Sequence, residues 1–307
     1  ASMRVNKILS LFLIISIFAC NDENSFTQDS DNPFIGRASN PKQFKNYLFL
    51  GHIYQTETRI NTDIEQLDLN KYDQIWLGGD VLTETTKYQS NLDYLDSIFD
   101  LSNPNTKWAL GNHDLRNGNV QWINEKTKRP SFYTSHSDGI TYFVLNTSKL
   151  QRDRLDVDFA KSQYHLLKSV CDTIISSSHL VILSHHSPWQ QVDSIIKSGA
   201  NSDASNFVFN VDPIQDFHNG VYNPLLKKVQ SKGVDVIFIS GDYGQFRAGN
   251  QYTSSSGVTF LGSGILSINK YNERFSRYKR PNSVLIFNHD IVNRKLKWKF
   301  KLIDDIH

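Results

Sequence analysis

The feature that most restricts this chain is a repeated coincidence in which apolar runs of strand length end, one after another, in short polar signatures. Tyr47–Leu50 runs into Gly51-His52-Ile53-Tyr54, Gln74–Leu77 into Gly78-Gly79-Asp80, and Lys107–Leu110 into Gly111-Asn112-His113-Asp114. Leu180–Leu183 runs into Ser184-His185-His186-Ser187-Pro188, and Val234–Ile239 into Ser240-Gly241-Asp242-Tyr243-Gly244. Further strands are expected at Thr141–Leu145, Val258–Leu261 and Ser283–Phe287, with Leu296–Ile303 closing a hairpin after Asn288-His289-Asp290. Helical spacing links Leu92, Leu95, Ile98 and Phe99, and recurs across Tyr164–Ile175. The pattern is that of an α/β domain, in which ligands bind outside the carboxyl ends of the strands. Glycine lets the backbone turn sharply there, so the next side chain faces the crevice. Five such ends would gather aspartate, asparagine and several histidines into one concavity. Residues 190 to 222 are polar and without period, which reads as a long loop bordering that concavity.

Composition excludes collagen-like, coiled-coil and disordered classes: of 307 residues 39% are hydrophobic and 21% charged. The 33 basic and 31 acidic residues leave +2, and Arg4 and Lys7 belong to a leader. The remainder is balanced, so no nucleic acid partner is expected.

Residues 1–19 read as two cloning residues and a signal peptide. Arg4 and Lys7 precede an apolar run from Ile8 to Ala19, which at ~1.5 Å per residue is too short for a ~30 Å hydrocarbon core. Ile17-Phe18-Ala19-Cys20 resembles a bacterial lipobox, which implies a lipidated Cys20, attachment to a membrane and a place in the bacterial cell envelope, at the outer membrane. Residues 20–45 then form a polar tether, and 46–307 the domain. With Cys20 lipidated, Cys171 has no partner; it falls on an apolar helical stripe and reads as an inert core thiol.

From Tyr47 to Ile303 the chain resembles the calcineurin-like metallophosphoesterase superfamily. Gly111-Asn112-His113-Asp114 is the most specific element, supported by Gly79-Asp80 and by His186-Ser187-Pro188. The resemblance implies a four-layer α/β/β/α sandwich of two mixed sheets flanked by helices, with a two-metal site bridged by an aspartate. It implies Asp80 as the bridging carboxylate, Asn112 and His186 as ligands of the second metal, and His113 as the residue assisting the leaving oxygen. Carboxylate, amide and imidazole suit Zn, Mn or Fe, and Asp114 is expected to orient His113.

Two motifs depart. The family's opening Asp-x-His falls on His52-Ile53-Tyr54, and its closing Gly-His-x-His on Gly241-Asp242-Tyr243-Gly244. One metal position keeps Asp80, Asn112, His186 and Asp242. The other keeps only remnants: His52, Tyr54 and, beside the gap, Gln245. One divalent metal is therefore expected rather than two. His52 and Asp242 are either a pair replacing the lost metal or both ligands, and His52 can also serve as a base in a metal-independent hydrolysis. His185 is expected as a helper rather than a ligand. The first functional expectation is hydrolysis of a phosphomonoester or phosphodiester; the alternative is an inactive module binding an envelope protein partner, with the polar set reduced to turn and capping residues. Lys270, Arg274, Arg277, Lys279 and Arg280 read as a solvated face.

Overall fold

The computed structural model describes residues 42–192, 207–243, 249–265 and 282–306. Cys20, Gly244, Gln245 and the basic run from Lys270 to Arg280 lie outside these.

Thirteen strands are described, and all but a short hairpin fall into two mixed sheets. In the first sheet, β1 (Phe44–Leu50), β2 (Gln74–Leu77) and β3 (Thr106–Trp108) are parallel. Two antiparallel strands, β12 (Ser283–Asp290) and β13 (Lys295–Leu302), extend it past β1, giving the order β13-β12-β1-β2-β3. The second sheet has the order β10-β11-β9-β6-β5-β4. Its parallel centre is β5 (Ile140–Val144), β6 (His179–Ser184), β9 (Asp235–Ser240) and β11 (Thr259–Ser263), and its antiparallel edges are β4 (Tyr133–Ser137) and β10 (Gly249–Thr253).

Alternation along the strands produces the layers. The inward residues Tyr47, Phe49 and Trp76 of one sheet meet Tyr142, Val181, Leu183 and Ile237 of the other in a shared apolar core. Leu48, Leu50 and Leu77 point the opposite way, against α2 (Gln89–Phe99) and α3 (Val120–Thr127). Ile182, Val236 and Phe238 likewise face α4 (Val157–Thr173) and the π-type helix His218–Leu226 with its α5 continuation (Lys227–Ser231). The expected four-layer α/β/β/α sandwich is therefore the observed one. Helix α4 starts where Asp156 accepts from the Phe159 amide, and buries Ala160, Leu167 and Cys171. Burial pushes the Cys171 thiol up to about 12, as an inert core cysteine requires.

Three expectations are corrected. Strand β1 begins at Phe44, so it takes two residues assigned to the tether. The long loop of 190–222 is interrupted: β7 (Val208–Val211) and β8 (Ile214–Asp216) form a hairpin that leads into the π-type helix. Strands β4 and β10 were not foreseen, because edge strands covered on one side only carry no apolar run; their sequences are Tyr-Thr-Ser-His-Ser and Gly-Asn-Gln-Tyr-Thr. Among the described residues no helix is long and apolar enough to cross a membrane.

Candidate metal centre

The carboxyl ends of β1, β2, β6 and β9 meet at one pole, where the two sheets come together through bare backbone. A Cβ on Gly241 would stand 2.0 Å from the Gly78 carbonyl oxygen, and one on Gly51 would stand 2.5 Å from the Gly241 Cα. Any side chain here would force the sheets apart. Within each sheet the turns are bonded to one another, the His52 amide donating to Gly79 O (3.0 Å) and the Tyr54 amide to Asp80 O (3.3 Å) in the first and the Asp242 amide to His185 O (2.9 Å) in the second, while across the gap the Ile265 amide donates to Gly51 O (3.0 Å). His52 and Asp80, each with φ of 53°, hold left-handed backbone that non-glycine residues rarely adopt.

Asp80 is the centre. It is buried, and its Oδ1 accepts from the His113 amide at 2.9 Å. Three imidazole Nε2 atoms converge on its other oxygen: His185 at 3.3 Å, His52 at 3.9 Å and His113 at 3.9 Å. In each ring the opposite nitrogen meets a backbone carbonyl, which can only accept, so Nδ1 carries the proton. His185 Nδ1 donates to Gly78 O (2.8 Å), His113 Nδ1 to Thr83 O (2.9 Å) and His52 Nδ1 to Ile265 O (3.2 Å). Carbonyls thus set all three rings with Nε2 inward, the orientation that metal-ligating histidines take.

His185 is fully buried and carries the second half of the site. Its Nε2 lies 4.0 Å from Asp242 Oδ1, as well as beside Asp80, and has no aligned hydrogen bond. The ligand atoms of His185, His186 and Asp242 all lie within 4.8 Å of one another. His186 is set by Thr147, whose hydroxyl meets its Nδ1 at 2.7 Å. Electrostatics follow from this geometry. Burial resists charge on His185, but Asp80, then Asp242, outweigh it and push the imidazole up to about 10. Burial also opposes ionisation of Asp80, yet His185 and then His113 and His52 hold its carboxyl well below the usual range. His186, buried beside a cationic neighbour, is pushed far down and stays neutral.

The sequence expectations fall unevenly on this site. Asp80, His52, His113, His186 and Asp242 are brought together, and Asn112 lies half-buried in the same turn as His113. His185, expected as a helper, is instead the residue that joins Asp80 to Asp242. Its position directly after β6, equivalent to that of Gly78 after β2, was the available signal. Asp114 does not orient His113, whose ring is held by Thr83. It accepts instead from the amides of Gly111 (2.8 Å), Asp80 (2.9 Å) and Val81 (3.0 Å), the Thr85 hydroxyl (2.8 Å) and the Trp108 indole (3.3 Å), tying two site turns together. Tyr54 is not poised as a phenolate ligand. Its ring lies beside His52 (4.5 Å between centroids) and His113 (5.1 Å), and burial, Asp80 and Asp242 push the phenol up to about 12. Trp189, beside the site in sequence, is packed against Phe238 and Phe260 in the core. Sequence reasoning missed Arg116, whose Nη2 donates to His113 Nε2 at 3.0 Å.

No protein-family model matches the sequence, and no curated protein matches it. Solved structures do. A dimetal phosphatase from Danio rerio superposes with a TM-score of 0.52 at 12% identity, covering 79% of this chain and 92% of its own. A metallophosphoesterase from Sphaerobacter thermophilus matches with a TM-score of 0.34 and 9% identity over 84% and 88% of the two chains. A zinc complex of Vps29 from Entamoeba histolytica matches with 0.30 and 9% over 84% and 99%. The likeness to the first shows the fold: this chain shares the two-sheet sandwich of that dimetal phosphatase.

Proposed function

We propose that the domain holds one divalent metal ion, Zn, Mn or Fe, and hydrolyses a phosphomonoester or phosphodiester. The observation that carries this reading is His185 Nε2, a fully buried atom between two carboxylates with no aligned hydrogen bond. The donor set fits a cation there: two imidazoles and Asp242 in mutual reach, Asp80 on the far side, and glycines leaving the room. Such an ion supplies Lewis-acid activation of water and of a phosphoryl oxygen. The remaining work belongs to the chain. Asp80, fixed by the His113 amide, holds its charge at the centre of the crevice. Arg116, exposed beside His113, offers a guanidinium to the substrate's oxyanion. His113 turns Nε2 toward the crevice, where it accepts from Arg116; only after taking up a proton there can it hand one to a leaving oxygen.

Metal analysis with chromogenic phosphoesters tests this. Near-stoichiometric metal that falls away in His185→Gln and Asp242→Asn, together with hydrolysis lost in His113→Ala, supports it. Metal-free protein that stays inert across added Zn, Mn and Fe sinks it.

A second reading has its own observation. Tyr54 packs its ring beside both His52 and His113, and a charged His185 faces Asp80 and Asp242 and offsets part of their charge without any ion. On this reading the domain is an inactive binding or assembly module, and it predicts full stability in chelator with no turnover.

The lipobox-like Ile17-Phe18-Ala19-Cys20 supports a lipid anchor and an envelope location for either function. Labelling with a radioactive fatty acid, lost in Cys20→Ser, tests that separately.

A further inference from the structure

We infer that the outer face of β13 is a docking surface for an anionic lipid bilayer. The strand reads Lys-Leu-Lys-Trp-Lys-Phe-Lys-Leu from Lys295 to Leu302. Leu296, Trp298 and Phe300 pack into the core between the sheets, so the alternate residues Lys295, Lys297, Lys299 and Lys301 all stand on the opposite face. Spacing along a strand puts neighbours ~6.8 Å apart in a row of about 20 Å. That is inside the ~8 Å screening length of physiological salt, so the four ammonium groups repel one another.

Among the described residues none of the four makes an ion pair. Lys42, Lys45, Lys126, Lys168 and Lys228 elsewhere on the domain each meet a carboxylate. Asp290, opposite Lys295 in register, is engaged by the Asn293 amide and side chain in the hairpin turn. A charge on an edge strand also discourages pairing with another sheet, but one or two lysines serve that purpose.

Two observations point to lipid rather than to another polyanion. Phe44, 47% exposed, shares the outer face: it pairs with Asp290, which pairs with Lys295, so the three form one row across three strands. Val292, 71% exposed, stands at the tip of the β12–β13 hairpin. Lysines beside exposed apolar side chains match a surface of anionic headgroups over acyl chains. In addition, the chain enters the domain at this row, two residues before Phe44, after the segment that follows Cys20.

Sedimentation of the full chain with phosphatidylglycerol–phosphatidylcholine vesicles tests the surface, with phosphatidylcholine vesicles as the control. The apolar leader is common to all proteins compared, so differences belong to the domain. Binding to anionic vesicles is expected to fall as salt rises. It is expected to weaken ~5-fold per lysine removed, and ~100-fold or more in the K295Q/K297Q/K299Q/K301Q protein. Phe44→Ser weakens what remains at high salt. Metal content, hydrolysis and thermal transition stay as in the wild type, which separates this surface from the crevice. Equal binding of wild type to both vesicles, unchanged binding by the quadruple variant, or a preference of the lysines for duplex DNA over vesicles overturns the inference.

Discussion

Arg116 Nη2 donates to His113 Nε2 across 3.0 Å, so the nitrogen of His113 that faces Asp80 is engaged by a guanidinium that has nothing to accept with. The pair sits at the exposed rim of the crevice. A substrate oxyanion is a better partner for Arg116 than a neutral imidazole, because it brings an opposite charge and can be held by two parallel N–H bonds of the guanidinium fork.

Arg116→Ala therefore raises KM for a phosphoester by about 10-fold to 100-fold, the value of one hydrogen bond to a charged group. Arg116→Lys recovers part of it. Steady-state kinetics with a chromogenic phosphoester decide, and an unchanged KM removes Arg116 from substrate binding.

Asp114 is a structural residue in this arrangement, and its loss should be felt in stability before activity. Asp114→Ala leaves five donors without their acceptor, three of them backbone amides of the site turns. A cost of about 3–5 kcal/mol is expected, since each stranded buried donor costs ~1–3 kcal/mol and the turns relax around some. Urea unfolding measures it; a loss under 1 kcal/mol with activity abolished would return Asp114 to a role in the chemistry.

The paired imidazoles set opposite limits on stability with pH. His185, raised in the fold to about 10, contributes in full below its ordinary value of ~6.5 and loses that contribution as pH climbs towards 10. His186, depressed by burial and by His185, contributes above ~6.5 and loses it as pH falls below. Metal-free wild type minus His185→Gln should thus shrink on the alkaline side, and wild type minus His186→Gln on the acid side. Taking differences also cancels Lys107, buried and lowered to about 7, which titrates in the alkaline window with the opposite sign. Chemical denaturation from pH 5 to 10 reads both limbs, and parallel curves would refute the assignment.

Tyr54 is held as a neutral phenol between two histidines, so Tyr54→Phe should leave metal content as it was. Elemental analysis before and after dialysis against chelator checks this. Loss of an ion in the variant would make the phenol a ligand after all.

Much of the site was legible because its signals are local. Each of Asp80, His113 and Asp242 follows a glycine or asparagine at a strand end, and the parallel order of those strands puts the ends at one pole. Roles that depend on the partner across the gap were not legible. Asp114 and Asp80 are both aspartates after glycine-bearing turns, and only the fold shows one gathering amides while the other gathers imidazoles. Tandem His185-His186 has the same character: one step along the chain rotates a side chain to the other side of β6, and the choice of which side meets Asp80 is made by β2 and β9. Edge strands were lost for a related reason, since half their surroundings are solvent and leave no apolar mark.

The contact of Gly51, Gly78 and Gly241 has a mechanical meaning. Asp80 hangs from one sheet and His185 with Asp242 from the other, and no compressible side chain separates the two halves where they touch. The opening between them is consequently fixed by the thickness of a peptide group. An occupant must take the gap as it stands, and the addition of one methyl group, by Gly241→Ala, is enough to pull the opposing carboxylates out of register.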